Sequence, residues 1–417
     1  MTDFTGLKLH STILENINKL GYIHPTLIQE RTIPVLLKGH DLLGIAQTGT
    51  GKTASFSLPL IDKILQKKVL LDKFEIRSLI IAPTRELATQ IYENICAYAP
   101  SDSISIKCVI GGVRKEGQIE FMEKGADILV ATPGRLMDLM SGGYVRSTNL
   151  DTFILDEADM MLDMGFYEDV KVISQKLPEK RQTIMFSATM PKEIEELARN
   201  ILTKAIKISS AKESTTLDTV DQSVYYLQED DKLNLLLSLL SDNSLSKVII
   251  FCKAKYSVPA IVNGLNLANI TNCEIHSNCS QTERNAAIQN FTDGSARVMV
   301  ATDIASRGID IDNISHVINY NMPEDPTFYV HRIGRTARAG RSGVAISFCA
   351  ERDLALLRNV KKLIKVEIPE ILNHPFHFEY APLEKQGKHK PSSASMRQRK
   401  RPSQAKRAAK KKFLSHL

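Results

Sequence analysis

Short apolar runs of three to five residues alternate along the chain with stretches where apolar and polar positions recur at helical spacing. The runs at 42–45, 79–82, 128–131, 153–155 and 184–186 form one series, and those at 248–252, 273–276, 298–301, 317–320 and 345–348 form a second. A run that is apolar at every position has to be buried on both faces, as in a strand of a parallel sheet covered by helices. The pattern therefore predicts an α/β chain with two sheets in tandem. Between the series, Ser209-Ser210-Ala211-Lys212-Glu213-Ser214-Thr215-Thr216 is small and polar and reads as a linker. The expected organisation is a domain over 1–208, a linker over 209–217, a second domain over 218–375 and a tail over 383–417. Ligands of open α/β sheets lie beyond the carboxyl ends of the strands. Polar motifs fall there in both series, so a site shared by the two domains is the natural expectation.

Composition changes this picture mainly at the C-terminus. The 417 residues are 43% hydrophobic and 24% charged, close to ordinary globular usage. The net charge is +7, but residues 383–417 hold 12 Lys or Arg and one acid, which leaves the rest of the chain at −4. A segment so charged and so poor in apolar side chains cannot bury enough surface to offset its ordering entropy. It is expected to be disordered, with a helix near 404–414, and to act as a salt-sensitive tether to phosphate backbones. No apolar stretch approaches the roughly 20 residues of a membrane span, and the N-terminus opens no basic-then-apolar leader. The cysteines at 96, 108, 252, 273, 279 and 349 form no CxxC pair and no zinc-ligand spacing, as expected of reduced thiols in a cytoplasmic protein.

Two motifs carry chemistry. After the run ending at Ile45 comes Ala46-Gln47-Thr48-Gly49-Thr50-Gly51-Lys52-Thr53, followed by a helix-compatible stretch over 54–65. Glycines let backbone N–H groups curl around phosphate oxygens, and the following helix turns its N-terminus to the anion. Lys52 can reach the β and γ phosphates, and the Thr53 hydroxyl can ligate magnesium. The second motif is Asp156-Glu157-Ala158-Asp159, at the end of the run 153–155. Three acids in four residues are often only a helix N-terminus stabilised by its dipole. Beside a phosphate loop they fit a second magnesium element, with Asp156 holding the ion partly through water and Glu157 activating the attacking water.

With these two motifs the sequence resembles the DEAD-box ATP-dependent RNA helicases, and the match runs through about residues 4–350 in the family's order. It includes the Q motif Gly21-Tyr22-Ile23-His24-Pro25-Thr26-Leu27-Ile28-Gln29, with Phe4 ahead of it. It continues with Pro83-Thr84-Arg85-Glu86-Leu87-Ala88, Gly111-Gly112, Thr132-Pro133-Gly134-Arg135 and Ser187-Ala188-Thr189. The second half supplies Gln281-Thr282-Glu283-Arg284, Ala301-Thr302-Asp303, Arg307-Gly308-Ile309-Asp310 and His331-Arg332-Ile333-Gly334-Arg335-Thr336-Ala337-Arg338. The short basic tail is similar to that of the bacterial RhlE-like members.

The resemblance implies two tandem RecA-like domains, ATP and magnesium as cofactors, and RNA as partner. The implied catalytic set is Lys52, Asp156, Glu157 and two arginine fingers, Arg335 and Arg338. Three residues apart, those fingers would share a face if they lie on a helix. The implied nucleotide set is Phe4, Tyr22, Thr26 and Gln29 toward adenine, 46–53 toward the phosphates, and Asp310 toward the ribose. Gln29 can pair bidentately with adenine; Thr26-x-x-Gln29 also reads as a helix capping box. Phe4 can stack on the base or anchor the core. The implied RNA set is Pro83, Thr84, Arg85, Gly112, Thr132, Gly134, Arg135, Arg284, Thr302 and Asp303, groups suited to phosphate and 2′-OH contacts rather than to base edges. Ser187, Thr189, Asp159 and His331 are implied to couple hydrolysis to RNA handling. The expected activity is RNA-stimulated ATP hydrolysis that opens short duplexes or remodels RNA–protein complexes, by a monomer. The alternative is an ATP-gated RNA clamp whose unwinding is incidental. Ribosome assembly, RNA decay and cold adaptation all stay open as settings. The sequence departs from the family at 249–255, which match loosely, and at Ser277 and Ala337, where glycine is common.

Overall fold

The computed structural model describes residues 3–46, 49–100, 103–209, 220–303, 314–337 and 343–380. Gln47, Thr48, the linker from 210, Asp310, Arg338 and the basic tail lie outside the described residues. The chain divides into two compact units. The first carries β1 (Leu42–Ile45), β2 (Ile76–Ile81), β3 (Ile106–Val109), β4 (Ala126–Ala131), β5 (Thr152–Leu155), β6 (Gln182–Ser187) and β7 (Ile206–Ser209). They form one sheet in the order β3-β4-β2-β5-β6-β1-β7. The second carries β8 (Val220–Tyr226), β9 (Val248–Cys252), β10 (Asn272–Ile275), β11 (Val298–Thr302), β12 (His316–Asn319) and β13 (Gly343–Cys349). Their order is β10-β11-β9-β12-β13-β8. Pairing is parallel throughout both sheets.

The expected α/β architecture is thus the observed one, and its cause is visible in the side chains. Along β2, Leu79 and Ile81 enter one apolar cluster, while Ile80 and the following Ala82 enter the cluster on the opposite face. Every position of β2, β5 and β6 is buried. The strands the pattern did not predict are β3, β7 and β8, and all three are sheet edges. Their sequences Ile-Lys-Cys-Val, Ile-Lys-Ile-Ser and Val-Asp-Gln-Ser-Val-Tyr-Tyr place polar residues between apolar ones. An edge strand is only partly covered, so the continuous run is missing.

The second unit continues past the expected boundary at 375. Val224 N–H donates to Pro369 O, Phe378 N–H donates to Tyr226 O, and Phe376 is buried in the core. This strap covers the open edge of β8. No helix among the described residues is long and apolar enough to cross a membrane.

The strand order sorts the motifs along the carboxyl edge of each sheet. In the first unit, β3, β4 and β2 are neighbours and lead into Gly112, Thr132–Arg135 and Pro83–Arg85 respectively. Next to them, β5, β6 and β1 are neighbours and lead into Asp156-Glu157, Ser187–Thr189 and the phosphate loop. Closeness of β1 to β6 depends on Gly44, since a Cβ there would run into the Phe186 ring. Gly44→Ala is expected to lower the unfolding free energy by about 1–3 kcal/mol through overpacking. An unchanged urea midpoint would show that the sheet has slack at this point.

Candidate nucleotide and RNA sites

The phosphate loop is braced from the Q motif. Thr26 caps the helix Leu27–Leu37, and its backbone N–H donates to Gln29 Oε1 at 2.9 Å, so the capping box is real. The other half of the Gln29 amide, Nε2, donates to Gly51 O at 3.1 Å, and Thr26 Oγ1 donates to Thr50 O at 2.8 Å. Gly51 has φ of +91°, and a Cβ there would collide with Gln29 Nε2. Gln29 is buried and its amide is engaged at both ends within the protein. Phe4 is also placed in the core: it is 4% exposed and meets Tyr22 edge-on at 6.2 Å, and Tyr22 in turn shares a hydroxyl contact with Tyr98 at 2.8 Å. That packing fits the anchoring reading of Phe4.

Lys52 opens the helix Lys52–Gln66 and points to the acidic motif. Its Nζ is 3.4 Å from Glu157 Oε1 and 3.9 Å from Asp156 Oδ1, and all three side chains are about 95% buried or more. Burial alone would push the lysine toward neutrality, but Glu157 and Asp156 outweigh it and hold its pKa above the usual value. Burial pushes Asp156 up to about 6 against the pull of Lys52. Two buried carboxyls facing one ammonium suit a further cation, and carboxylate and hydroxyl oxygens are the donors that magnesium takes. Glu157 stands in the left-handed region, with φ of +54°. A buried non-glycine residue held there marks backbone strain of the kind stored at working sites.

Asp159 ties this motif to Ser187 and Thr189. Its carboxylate accepts Thr189 N–H and Thr189 Oγ1–H, both at 2.8 Å, and its own N–H donates to Ser187 Oγ at 3.2 Å. Ser187 Oγ donates on to Thr189 O at 2.7 Å. The three expected coupling residues of this unit therefore form one hydrogen-bonded cluster.

On the other half of the edge, two helices begin side by side. Thr84 caps Arg85–Tyr98 by accepting Leu87 N–H at 3.2 Å, and Thr132 precedes Pro133–Ser141. Gly134 lies exposed in the first turn of the second helix. Gly112 has φ of +76°, and the Arg85 guanidinium occupies the space where its Cβ would stand. Arg135 Nη2 donates to Val113 O at 2.9 Å. Adjacent helix N-termini, two guanidiniums and a glycine turn are groups of the kind that suit phosphates.

In the second unit, β10 and β11 lead to Arg284, at the start of the helix Gln281–Thr292, and to Thr302 and Asp303. Asp303 has a structural partner: its two oxygens take Arg332 Nε at 2.6 Å and Nη2 at 2.7 Å. Arg332 also donates to Asn319 Oδ1 at 3.0 Å and Asn321 O at 2.7 Å, and it stacks over Phe251 at 5.2 Å. It is 2% exposed. Sequence reading gave Arg332 no role; the signal was its place inside the quoted motif. The helix Pro326–Ile333 stops at the Gly334 cap, so Arg335 lies beyond it, while Arg338 lies outside the described residues. Thr336 bonds back to Ile314 O, and Ala337 takes φ of +55°, the left-handed conformation that its usual glycine accepts without cost. Arg335 is 7% exposed, and His331 Nε2 is buried with no hydrogen-bond partner among the described residues.

Removing Lys52 leaves Asp156 and Glu157 without their cation and the phosphates without theirs. Lys52→Ala is expected to weaken ATP binding by about 2–5 kcal/mol, at least ~30-fold, as for other buried charge pairs. An unchanged affinity by fluorescent-nucleotide titration would remove the loop from the nucleotide site.

Comparison with known proteins agrees with this geometry. Residues 26–197 match the model of the DEAD/DEAH box helicase family, and 231–340 match that of the helicase conserved C-terminal domain. The DEAD-box ATP-dependent RNA helicase CshA of Bacillus cereus is 39% identical over 365 residues, covering 88% of this chain and 69% of its own. The ATP-dependent RNA helicase CshA of Listeria monocytogenes is 40% identical over 367 residues, again 88% and 69%. The structure of S. cerevisiae Dbp5 bound to RNA and ADP BeF3 superposes with a TM-score of 0.77 at 30% identity, covering 89% of this chain and 96% of that one. These matches carry the family and not the narrower RhlE-like kinship expected from the tail. The chain belongs to the DEAD-box family of ATP-dependent RNA helicases, enzymes that hydrolyse ATP and act on RNA.

Proposed function

We propose that Lys52, Asp156 and Glu157 perform the hydrolysis step, and that RNA bound along the same sheet edge controls it. The observation that carries this reading is the strand order, which sets the phosphate-seating loops of β3, β4 and β2 directly beside the acidic and lysine loops of β5, β6 and β1. Bound magnesium would neutralise charge on the phosphates. Asp156 and the Thr53 hydroxyl would hold it, partly through water, and Lys52 would hold the β and γ phosphate oxygens. Glu157 would orient the attacking water and accept its proton. Asp159, by fixing Ser187 and Thr189, positions the acidic loop and makes its geometry sensitive to neighbouring loops. Thr26 and Gln29 position the phosphate loop through Thr50 and Gly51.

From the second unit, Arg335 and Arg338 would supply positive charge as the phosphoryl group transfers, a contribution of roughly 10³–10⁵ in rate where such fingers act. Arg332 positions His331 and the turn leading to Arg335 by holding the end of the helix Pro326–Ile333 to Asp303 and Asn321. RNA would be gripped through its phosphates and 2′-OH groups, so sequence preference is low. ATP and RNA each tighten the binding of the other by the same factor. A strand bent into such a seat leaves its duplex partner, which is how short duplexes open. The tail over 383–417 would add a salt-dependent, non-specific tether.

Glu157→Gln tests the step on which this rests. It should bind ATP and RNA normally, lower hydrolysis by about 10²–10⁴-fold as for loss of a general base, and hold RNA for as long as ATP is present. Prompt RNA release by the variant, or retained hydrolysis, would take the role of base away from Glu157.

A further inference from the structure

Outside the residues assigned above, one cluster in the second unit combines a nucleophile, a base and a carboxylate. β10 ends next to His276, and Cys279 follows three residues later, just before Ser280 caps the helix Gln281–Thr292. Cys279 Sγ is 3.5 Å from His276 Nδ1 and 3.9 Å from the Glu274 carbonyl oxygen. Asn278 N–H donates to the same Nδ1 at 3.2 Å, so that nitrogen carries the lone pair and the ring proton sits on Nε2. Nε2 faces Glu274 Oε1 at 3.9 Å; the Glu274 side chain is partly exposed, and its Oε2 has no hydrogen-bond partner among the described residues. A thiol, a base with the right tautomer and an under-used carboxylate behind it form the arrangement that activates a nucleophile.

Two further features stand near the thiol. Lys255 Nζ donates to Asn278 Oδ1 at 2.9 Å, and the N-terminus of a 12-residue helix begins two residues on. Cys279 is half-buried. The other thiols stand in less favourable settings: burial pushes Cys108, Cys252, Cys273 and Cys349 up to about 12, and raises Cys96 as well.

We infer that Cys279 is a thiol-modification site, at which a low-molecular-weight disulfide forms a mixed disulfide that obstructs RNA binding by the second unit. The Sγ proton passes to His276 Nδ1, displacing the Asn278 N–H. The thiolate attacks one sulfur of the reagent, RSSR. The reagent's S–S bond breaks as the Cys279 S–S bond forms, and the departing thiolate collects the proton as RSH. The reagent is itself the oxidant, so no other is required. Ile275 of β10 lies opposite Ala301 of β11, so the Cys279 loop leaves the sheet at the same edge as Thr302. Arg284 stands in the first turn of the helix that Cys279 precedes. The adduct therefore falls among residues to which RNA contact is assigned, and this consequence rests on that proposed role.

The full-length protein is incubated with oxidised glutathione, and the adducts are mapped by peptide mass spectrometry while RNA-stimulated ATP hydrolysis is followed. Cys279 should be modified at least about tenfold faster than any other cysteine, and His276→Asn should slow that reaction. Stimulation by RNA should fall in proportion to the adduct and return with dithiothreitol, whereas Cys279→Ser keeps its stimulation throughout. Uniform modification of the cysteines, or a Cys279 rate unchanged by His276→Asn, would overturn the site. A complete Cys279 adduct with RNA stimulation intact would overturn the switch. Untreated protein that RNA fails to stimulate would instead contradict the RNA reading, and the modification rates would still decide the site.

Discussion

A buried ammonium group has to be neutralised where it stands, and Lys52 is neutralised by the two carboxylates at the end of β5. This constraint fixes the rest of the first site. Lys52 opens its helix directly behind a glycine in the left-handed conformation, which sets the course of the chain into the helix. Gln29 and Thr26 hold that course through Gly51 and Thr50, using groups that would otherwise only cap a helix. Opposite, Glu157 is held in a left-handed conformation between β5 and a helix that Asp159 locks to the end of β6. The cluster carries more negative than positive charge, which fits a second cation arriving with the phosphates.

Sheet topology then sets this local chemistry beside the loops proposed to bind RNA. The loops suited to RNA phosphates follow three neighbouring strands, and the loops suited to ATP follow the next three. The boundary runs between β2 and β5, where Asp156 N–H continues the sheet ladder by donating to Ile81 O at 3.0 Å. On the proposed reading, a shift in one set of loops would pass across a single strand pair. The second unit repeats the plan: β10 and β11 lead to Arg284 and Thr302, while β12 leads to the helix bearing His331 and Arg332. There the buried guanidinium of Arg332, shared among Asp303, Asn319 and Asn321, plays the organising part that Lys52 plays in the first unit.

Much of this was legible in the chain because central parallel strands are apolar throughout and motifs follow their ends. The edge strands were not, since a half-covered strand such as Ile206–Ser209 carries lysine and serine among its isoleucines. Individual side chains were harder still. Gln29 had two readings, cap and adenine ligand, and only coordinates reveal that its amide also reaches Gly51. Phe4 and Asp303 were named for ligands and found engaged within the protein, Phe4 against Tyr22 and Asp303 against Arg332. The place of Arg335 outside its neighbouring helix follows from Gly334, a helix stop that motif spacing ignores. Ala337, noted as a departure from glycine, stands at the one point of that loop where a glycine would be at ease.

The account stands or falls on RNA controlling hydrolysis through the shared sheet edge. The most direct measurement is steady-state ATP hydrolysis by the whole chain with and without single-stranded RNA, with single-stranded DNA of the same sequence as control. Slow hydrolysis alone, at least about tenfold stimulation by RNA and little by DNA is the predicted result. Rapid hydrolysis without RNA, or equal stimulation by DNA, would contradict it.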